Sequence, residues 1–305
     1  MYNDFDLIKI KPKLNKKKIV ITILIVLLII FISIFSAVKF AEFKHKKEYE
    51  KALQIENERI LEEKRIEEER IAEQQRLEEQ QKQKNAKPFN EEQLQAFNNI
   101  YKSEEKRVFL TFDDGPTQTV TPLILDLLKQ ENIKATFFVL GTRAKANSNL
   151  IKREFDEGHY IANHGYTHKY SQIYQNSQTV LDEYNYTEKC IQEALQNPDY
   201  HSKVFRFPGG SNGGYYHTIK QQAKDYLKQN GIVSLDWNAL SKDADGSKTK
   251  ELIMQNVIQT VGEKQSVVLL MHDATDKILT YETLPDIIQY LREKGYVFKS
   301  LYDIL

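Results

Sequence analysis

Glycine and proline are missing from a long stretch of this 305-residue chain. All twelve glycines lie at or beyond Gly115, and neither residue occurs between Pro12 and Pro88. Tight turns depend on these two residues, so the first third contains little that folds back on itself. Cysteine is nearly absent too. A single Cys190 excludes an intrachain disulfide framework and any multi-cysteine zinc or iron–sulfur site. Net charge is also lacking: 43 basic side chains balance 43 acidic ones, which rules out a chain-wide basic footprint for nucleic acid.

The chain does contain one long apolar run. Ile19 to Val38 carries no charge over 20 residues. At helix rise this covers about 30 Å, the thickness of bilayer hydrocarbon. A buried core helix rarely lacks polar positions over so many turns. A cleaved signal peptide has a shorter apolar region of roughly 7–15 residues and ends at a small-residue site, whereas Val-Lys-Phe-Ala-Glu follows here. A retained transmembrane anchor is the expectation. Lys9, Lys11, Lys13, Lys16, Lys17 and Lys18 precede it; Lys39, Lys44, Lys46 and Lys47 follow. This asymmetry predicts a single-pass protein of the cell membrane, with residues 1–18 as a cytoplasmic tail and the rest outside.

Residues 39–87 are mostly Glu, Gln, Lys and Arg. Glu56–Arg59, Glu62–Arg65, Glu67–Arg70 and Glu73–Arg76 are i,i+3 pairs of opposite sign, each worth roughly 0.2–0.5 kcal/mol in a helix. Ile55, Ile60, Ile66, Ile71 and Leu77 recur with an eleven-residue period, not a heptad. Successive members point about 130° apart, giving two thin stripes. The pattern predicts a charged helical stalk, either a solvated single helix or a self-associating coiled coil. Residues 88–106 read as a linker.

From Arg107 onward the pattern changes. Strand-like runs at Val108–Phe112, Thr136–Val139, Tyr160–Ala162, Val204–Phe207, Ile232–Leu235, Ser266–Leu270 and Tyr296–Lys299 alternate with helical patterns. That alternation predicts an α/β fold with a parallel sheet, a distorted or incomplete (β/α) barrel of about seven strands over 107–305. An open doubly wound sheet is the alternative.

Unusual polar residues gather at the C-terminal ends of five of these runs: TFDDGP (Thr111–Pro116), NHGYTH (Asn163–His168), RFPGG (Arg206–Gly210), LDWNALSKD (Leu235–Asp243) and LLMHD (Leu269–Asp273). Barrel enzymes build their active sites there. His164 and His168, four apart, face one side if they lie on a helical turn and can then chelate a divalent cation. Asp113 and Asp114 leave a strand consecutively, so their side chains diverge; one can join the histidines while the other faces substrate. Two imidazoles and one carboxylate leave positions open for water, as in catalytic zinc sites. The same set describes a non-haem iron site, which the strand–helix alternation argues against. His272 suits a general acid. Arg206 can hold a carboxylate ionised, and Trp237 with Leu270 can form an apolar wall. His159, His201 and His217 read as surface or loop residues, and Cys190 as buried helix.

TFDDGP, H-x-x-x-H, R-x-P, the Asp-Trp segment and L-x-H, in this order, resemble the polysaccharide deacetylase family of NodB-homology domains, carbohydrate esterase family 4, and within it the peptidoglycan N-acetylglucosamine deacetylases. The resemblance covers Arg107 to Leu305. It implies a distorted (β/α) barrel and metal-dependent removal of acetyl groups from an acetylated polysaccharide, with Zn as the ion and Co, Ni or Mn as substitutes. By position, Asp113 resembles the general base, and Asp114, His164 and His168 the metal ligands. Arg206 resembles the partner of the base, His272 the general acid and Asp243 the carboxylate that orients it. Trp237 and Leu270 match acetyl-pocket residues, and Pro208 the fixed turn beside the groove. Gly165 stands where the family usually has Ser or Thr, and Gly209 where a second Pro is common. Peptidoglycan is the expected substrate; the alternatives are a surface exopolysaccharide (poly-N-acetylglucosamine), chitin-like oligomers, or a catalytically silent wall-binding module on the same fold.

Overall fold

The computed structural model of this protein describes residues 16–86 and 89–305. Lys9, Lys11 and Lys13 of the expected basic tail lie outside the described residues. The chain divides into two compact units, Met1–Glu73 and Gln74–Leu305.

Helix α1, Lys16–Ala86, is unbroken over 71 residues, as the lack of Gly and Pro permits. It contains one helix segment long and apolar enough to cross a membrane, with a mean hydropathy of 3.1 over its best window and none of that window buried. Bare aliphatic side chains on every face suit lipid and not water. Further along, Arg59, Arg65 and Arg70 reach back to Glu56, Glu62 and Glu67 at 3.3, 2.5 and 2.7 Å. All six side chains stand more than half in solvent, so water and salt screen each pair and it adds little to the helix.

Helix α2, Glu91–Asn98, opens on a capping box: Gln93 N–H donates to Asn90 Oδ1 at 2.8 Å, and Asn90 N–H to Gln93 Oε1 at 3.0 Å. Phe97 and Ile100 then bury themselves among Phe109, Phe138, Tyr160 and Tyr302. The segment expected as linker is thus part of the folded body.

Eight parallel strands follow: β1 Arg107–Asp113, β2 Thr136–Val139, β3 Tyr160–Asn163, β4 Val204–Phe205, β5 Val233–Ser234, β6 Ala239–Leu240, β7 Ser266–His272 and β8 Val297–Lys299. Their order is β5-β4-β3-β2-β1-β7-β6. One edge of β1 pairs with β7 along its full length. The opposite edge is shared, β8 taking Arg107–Phe109 and β2 taking Thr111–Asp113. The path ends at β5 and β6, so the sheet is an incomplete (β/α) barrel, as expected. Among the described residues seven strands lie on that path, the number expected, and β8 pairs with β1 beside it. Strand β6 was not among the expected runs: its two residues lie inside the Leu235–Asp243 motif and are too few to show any period.

Helices α3 Thr121–Gln130, α4 Gly141–Ala146, α5 Ser148–Asp156, α6 Tyr170–Ile173, α7 Ser177–Leu195, α8 His217–Gln229, α9 Lys250–Val261 and α10 Ile278–Glu293 complete the fold. The period-two alternation of β1 sorts its side chains. Val108, Leu110 and Phe112 join the core shared with Ile124, Leu128, Ile287 and Leu291, while Phe109 packs inside the barrel. Each such burial is worth roughly 1.5–3 kcal/mol. Asp113 shares the parity of Phe109, and this carries its carboxylate to the inner rim. Strand β7 repeats the pattern: Val267, Leu269 and Met271 join the outer core and Val268 the inner one.

Candidate active site

Register brings the first two groups together. Asp113 pairs with His272 across β1 and β7, both at the ends of their strands. Arg206, the residue after β4, is fully buried and serves as the hub. Its Nη1 donates to Asp113 Oδ1 at 2.7 Å and to Thr111 Oγ1 at 2.8 Å, and its Nε to Leu235 O at 3.0 Å. The guanidinium lies 3.8 Å from the centroid of the Phe138 ring. Burial pushes the Asp113 carboxyl up, and the charges of Arg206 and His272 pull it back without fully offsetting that rise. Hydrogen bonds from several guanidinium nitrogens to separate partners and an aromatic floor fix Arg206 in a way a lysine could not.

Asp114 turns the other way, in the left-handed region at φ 75°. Its Oδ1 is buried with no hydrogen-bond partner among the described residues, 3.6 Å from His164 Nε2 and 3.4 Å from His168 Nε2. His164 Nδ1 faces Arg206 O at 2.8 Å, which fixes the ring and leaves Nε2 free. Burial lowers the His164 pKa to about 3, so the ring is neutral. One ligand atom from each of Asp114, His164 and His168 falls within a 4.8 Å set. An orphaned buried carboxylate oxygen between two imidazoles is a donor set that fits a divalent cation.

The two histidines do not share a helical turn, which corrects the expectation. Residues 164–169 form an irregular loop, with Gly165 at φ 83° and His168 at φ 58°. That loop is held from α7. Glu183 accepts from Tyr166 N–H at 2.6 Å, Thr167 N–H at 2.7 Å and the Thr167 hydroxyl at 2.9 Å. A side chain at Gly165 would stand 2.9 Å from Ile173 Cδ1 and need a strained backbone as well. Glycine at this position follows from the packing and the positive φ.

Opposite, Asp243 grips His272 twice: it accepts from the His272 N–H at 2.8 Å, and its Oδ1 meets Nδ1 at 2.8 Å. Thr280 also donates to Asp243 at 2.8 Å. Burial opposes a charge on His272, but the hydrogen bond and charge of Asp243 outweigh it and raise the pKa to about 9. Asp243 is correspondingly held below the usual carboxylate range; burial alone would raise it, and His272 reverses this.

These groups surround a cavity of about 270 Å³ walled in part by Trp237, Leu270, Tyr170 and Gly209. Pro208 is not on that wall. It is buried, and its carbonyl accepts from the Tyr174 hydroxyl at 2.7 Å. Gly209 lines the cavity instead, and a Cβ there would stand 2.4 Å from the Tyr170 hydroxyl. Tyr170 was missed from the sequence, where one tyrosine among 17 carries no signal. Glu183 had one: it falls on the buried face defined by Val180, Tyr184, Thr187 and Ile191. Asp273 is fully buried behind Gly115, with Oδ2 accepting from Thr121 at 2.5 Å, and burial raises its pKa to about 7. His159 is a core residue and not a surface one; its Nδ1 accepts from Ala135 N–H at 3.1 Å and burial lowers its pKa to about 3. Cys190 is buried on α7.

An incomplete parallel barrel with carboxylates and histidines gathered at its C-terminal rim defines a barrel-type hydrolase. Comparison with known proteins narrows the class. The polysaccharide deacetylase family model matches residues 101–231. A peptidoglycan-N-acetylglucosamine deacetylase of Bacillus cereus is 33% identical over 207 residues, 66% of this chain and 71% of that protein. A second from the same organism is 32% identical over 209 residues, 67% of this chain and 90% of that protein. Among solved structures, a Streptococcus mutans CE4 esterase superposes with a TM-score of 0.60 at 30% identity, covering 70% of this chain and 91% of that one. The chain belongs to the polysaccharide deacetylase family.

Proposed function

We propose that this protein is a membrane-anchored, metal-dependent hydrolase that removes N-acetyl groups from N-acetylglucosamine residues of peptidoglycan. The observation that carries the reading is the unpartnered Asp114 Oδ1 between His164 and His168, beside an Asp113 tied to Arg206. Asp114, His164 and His168 are the residues that would hold the ion. When bound, a divalent cation, zinc being the one this donor set suits, polarises the acetamide carbonyl and activates water.

The chain's own residues do the rest. Asp113 takes the proton of the attacking water, and Arg206 keeps its carboxylate aimed and charged. His272 faces Asp113 across the rim and gives its proton to the departing nitrogen. Asp243 holds the His272 ring at Nδ1, so Nε2 carries the proton to be donated. Trp237 and Leu270 wall the space for the acetyl methyl group. Water is consumed, the C–N bond breaks, and acetate and a free amine leave.

The peptidoglycan assignment draws support from the two Bacillus cereus relatives and from the apolar helix, which suits an enzyme of the cell envelope. Two measurements test the reading. Detergent-solubilised full chain should release acetate from N-acetylglucosamine oligomers, lose that activity to a chelator and regain it with zinc. A deletion strain should lack glucosamine-containing muropeptides. Unchanged muropeptides with altered acetylation of a surface glycan would move the substrate to an exopolysaccharide. No acetate from any glycan would leave a silent wall-binding module.

A further inference from the structure

The LLMHD segment carries a second acid that the proposed reaction does not use. His272 lines the cavity, whereas Asp273, next in the chain, is fully buried with its carboxyl group against Gly115. A Cβ at Gly115 would run into Cγ and both oxygens of Asp273. Gly115 has no positive φ, so close approach and not turn geometry calls for glycine here.

Hydrogen bonds stitch the two segments together around this contact. Asp273 N–H donates to Asp113 O at 3.1 Å, and the Thr117 hydroxyl donates to Asp273 O at 2.8 Å. Asp273 Oδ2 accepts from the Thr121 hydroxyl at 2.5 Å, whose oxygen accepts from Thr117 N–H at 2.7 Å. Gly115 O accepts from Leu140 N–H at 3.0 Å, just past β2. Asp114 is the residue between these anchors. Its Oδ1 has no hydrogen-bond partner among the described residues, so its aim must come from the backbone.

Stability alone does not account for an acid at position 273. Asp273 Oδ1 is buried with no hydrogen-bond partner among the described residues, and such burial destabilises a fold. An apolar side chain would fill the space without that cost, but it could not hold Thr121. We propose that Asp273 is a positioning residue: by bearing on Gly115 and gripping Thr121, it sets the turn that aims Asp114 at the ion. It touches neither ion nor substrate. The inference rests on the deacetylase reading, which makes Asp114, His164 and His168 the ion's ligands.

The test measures zinc affinity by competition with a chromophoric chelator, and the visible absorption of cobalt(II)-loaded protein, using full-length protein in detergent. Neither readout needs a glycan. Asp273→Ala should weaken zinc binding about 10–100-fold and change the cobalt spectrum, as loss of a group that orients a ligand does. Asp273→Asn keeps the bulk beside Gly115 and an acceptor for Thr121, so both readouts should return to wild type. Thr121→Val removes the donor and should weaken zinc binding less than Asp273→Ala does. Wild-type zinc affinity in Asp273→Ala, or in Thr121→Val if the alanine variant does not fold, would overturn the proposal and leave the deacetylase reading standing. An Asp273→Asn protein as weak as Asp273→Ala would overturn it too. A wild type that binds no zinc would remove the metal reading and this inference together.

Discussion

In the proposed reaction the adjacent aspartates divide the work because the strand ends between them: Asp113 closes β1, and Asp114 takes the left-handed region at φ 75°. Asp113 points to Arg206, and Asp114 to the two imidazoles. Asp114→Asn should lose bound metal and activity together. Asp113→Asn should keep its metal, measured on the purified protein, and lose roughly 10²–10⁴-fold in kcat. The reverse pattern would exchange the two roles. His272 gives a second prediction. With its pKa raised to about 9, it stays protonated through neutral pH, and kcat/KM should fall only as pH rises through that value. Asp243→Asn removes the cause of the elevation, so the alkaline limb should move by a unit or more toward acid. A limb that stays in place would remove the pair from the reaction. The same pair stabilises the fold, with the sign set by each shift. The His272 contribution is complete below its unfolded value near 6.5 and is lost through about pH 9; that of Asp243 is lost as pH falls through its depressed value. The principal site residues were legible because each follows a β-branched run in a short, chemically odd motif. Tyr170 and the Gly209 it covers were not, because one replaces the other's side chain across a loop and no spacing encodes that.

At the scale of elements, the long runs were readable and the short or non-local ones were not. Strand β2 lies where it was expected, whereas β6 hides in a polar segment and is defined by pairing with β7. Helix α2 lay in a segment with a linker's composition, although Asn90 and Gln93 form a capping box and Phe97 sits on its inner face. Its hydrophobic partners, Phe109 and Tyr302 among them, are distant in sequence, and so the packing could not be foreseen. Phe97→Ala should therefore destabilise the body by about 3–5 kcal/mol. Trp237 is the only tryptophan and lies in this body, so its fluorescence during urea unfolding reports the change directly. A midpoint equal to wild type would mean that α2 only rests on the surface. His164–His168 teaches the same lesson at another element. The i,i+4 spacing does bring both imidazoles beside Asp114, but not on a helix, because Glu183 ties the loop down through three hydrogen bonds from a separate helix.

For the whole molecule, we expect the N-terminus inside and the catalytic body outside the membrane. The lysine asymmetry about the apolar run favours that orientation, and a cell-wall substrate requires it. The part of α1 beyond the span gives a tether of at most about 70 Å by helix rise, longer than lipid anchoring alone needs and suited to an insoluble polymer. It is also the weakest segment towards proteases. Arg59, Arg65 and Arg70 are each more than 60% exposed and are held only by ion pairs within the helix, so local opening there costs little. The folded body instead buries its backbone in a continuous parallel sheet. Trypsin added to intact spheroplasts should therefore cut first in the stalk and release a soluble fragment that keeps deacetylase activity. An epitope fused to the N-terminus should stay with the membrane and remain protected until lysis. An N-terminal epitope lost from intact spheroplasts, with the body protected, would invert the topology and remove peptidoglycan from reach of the site.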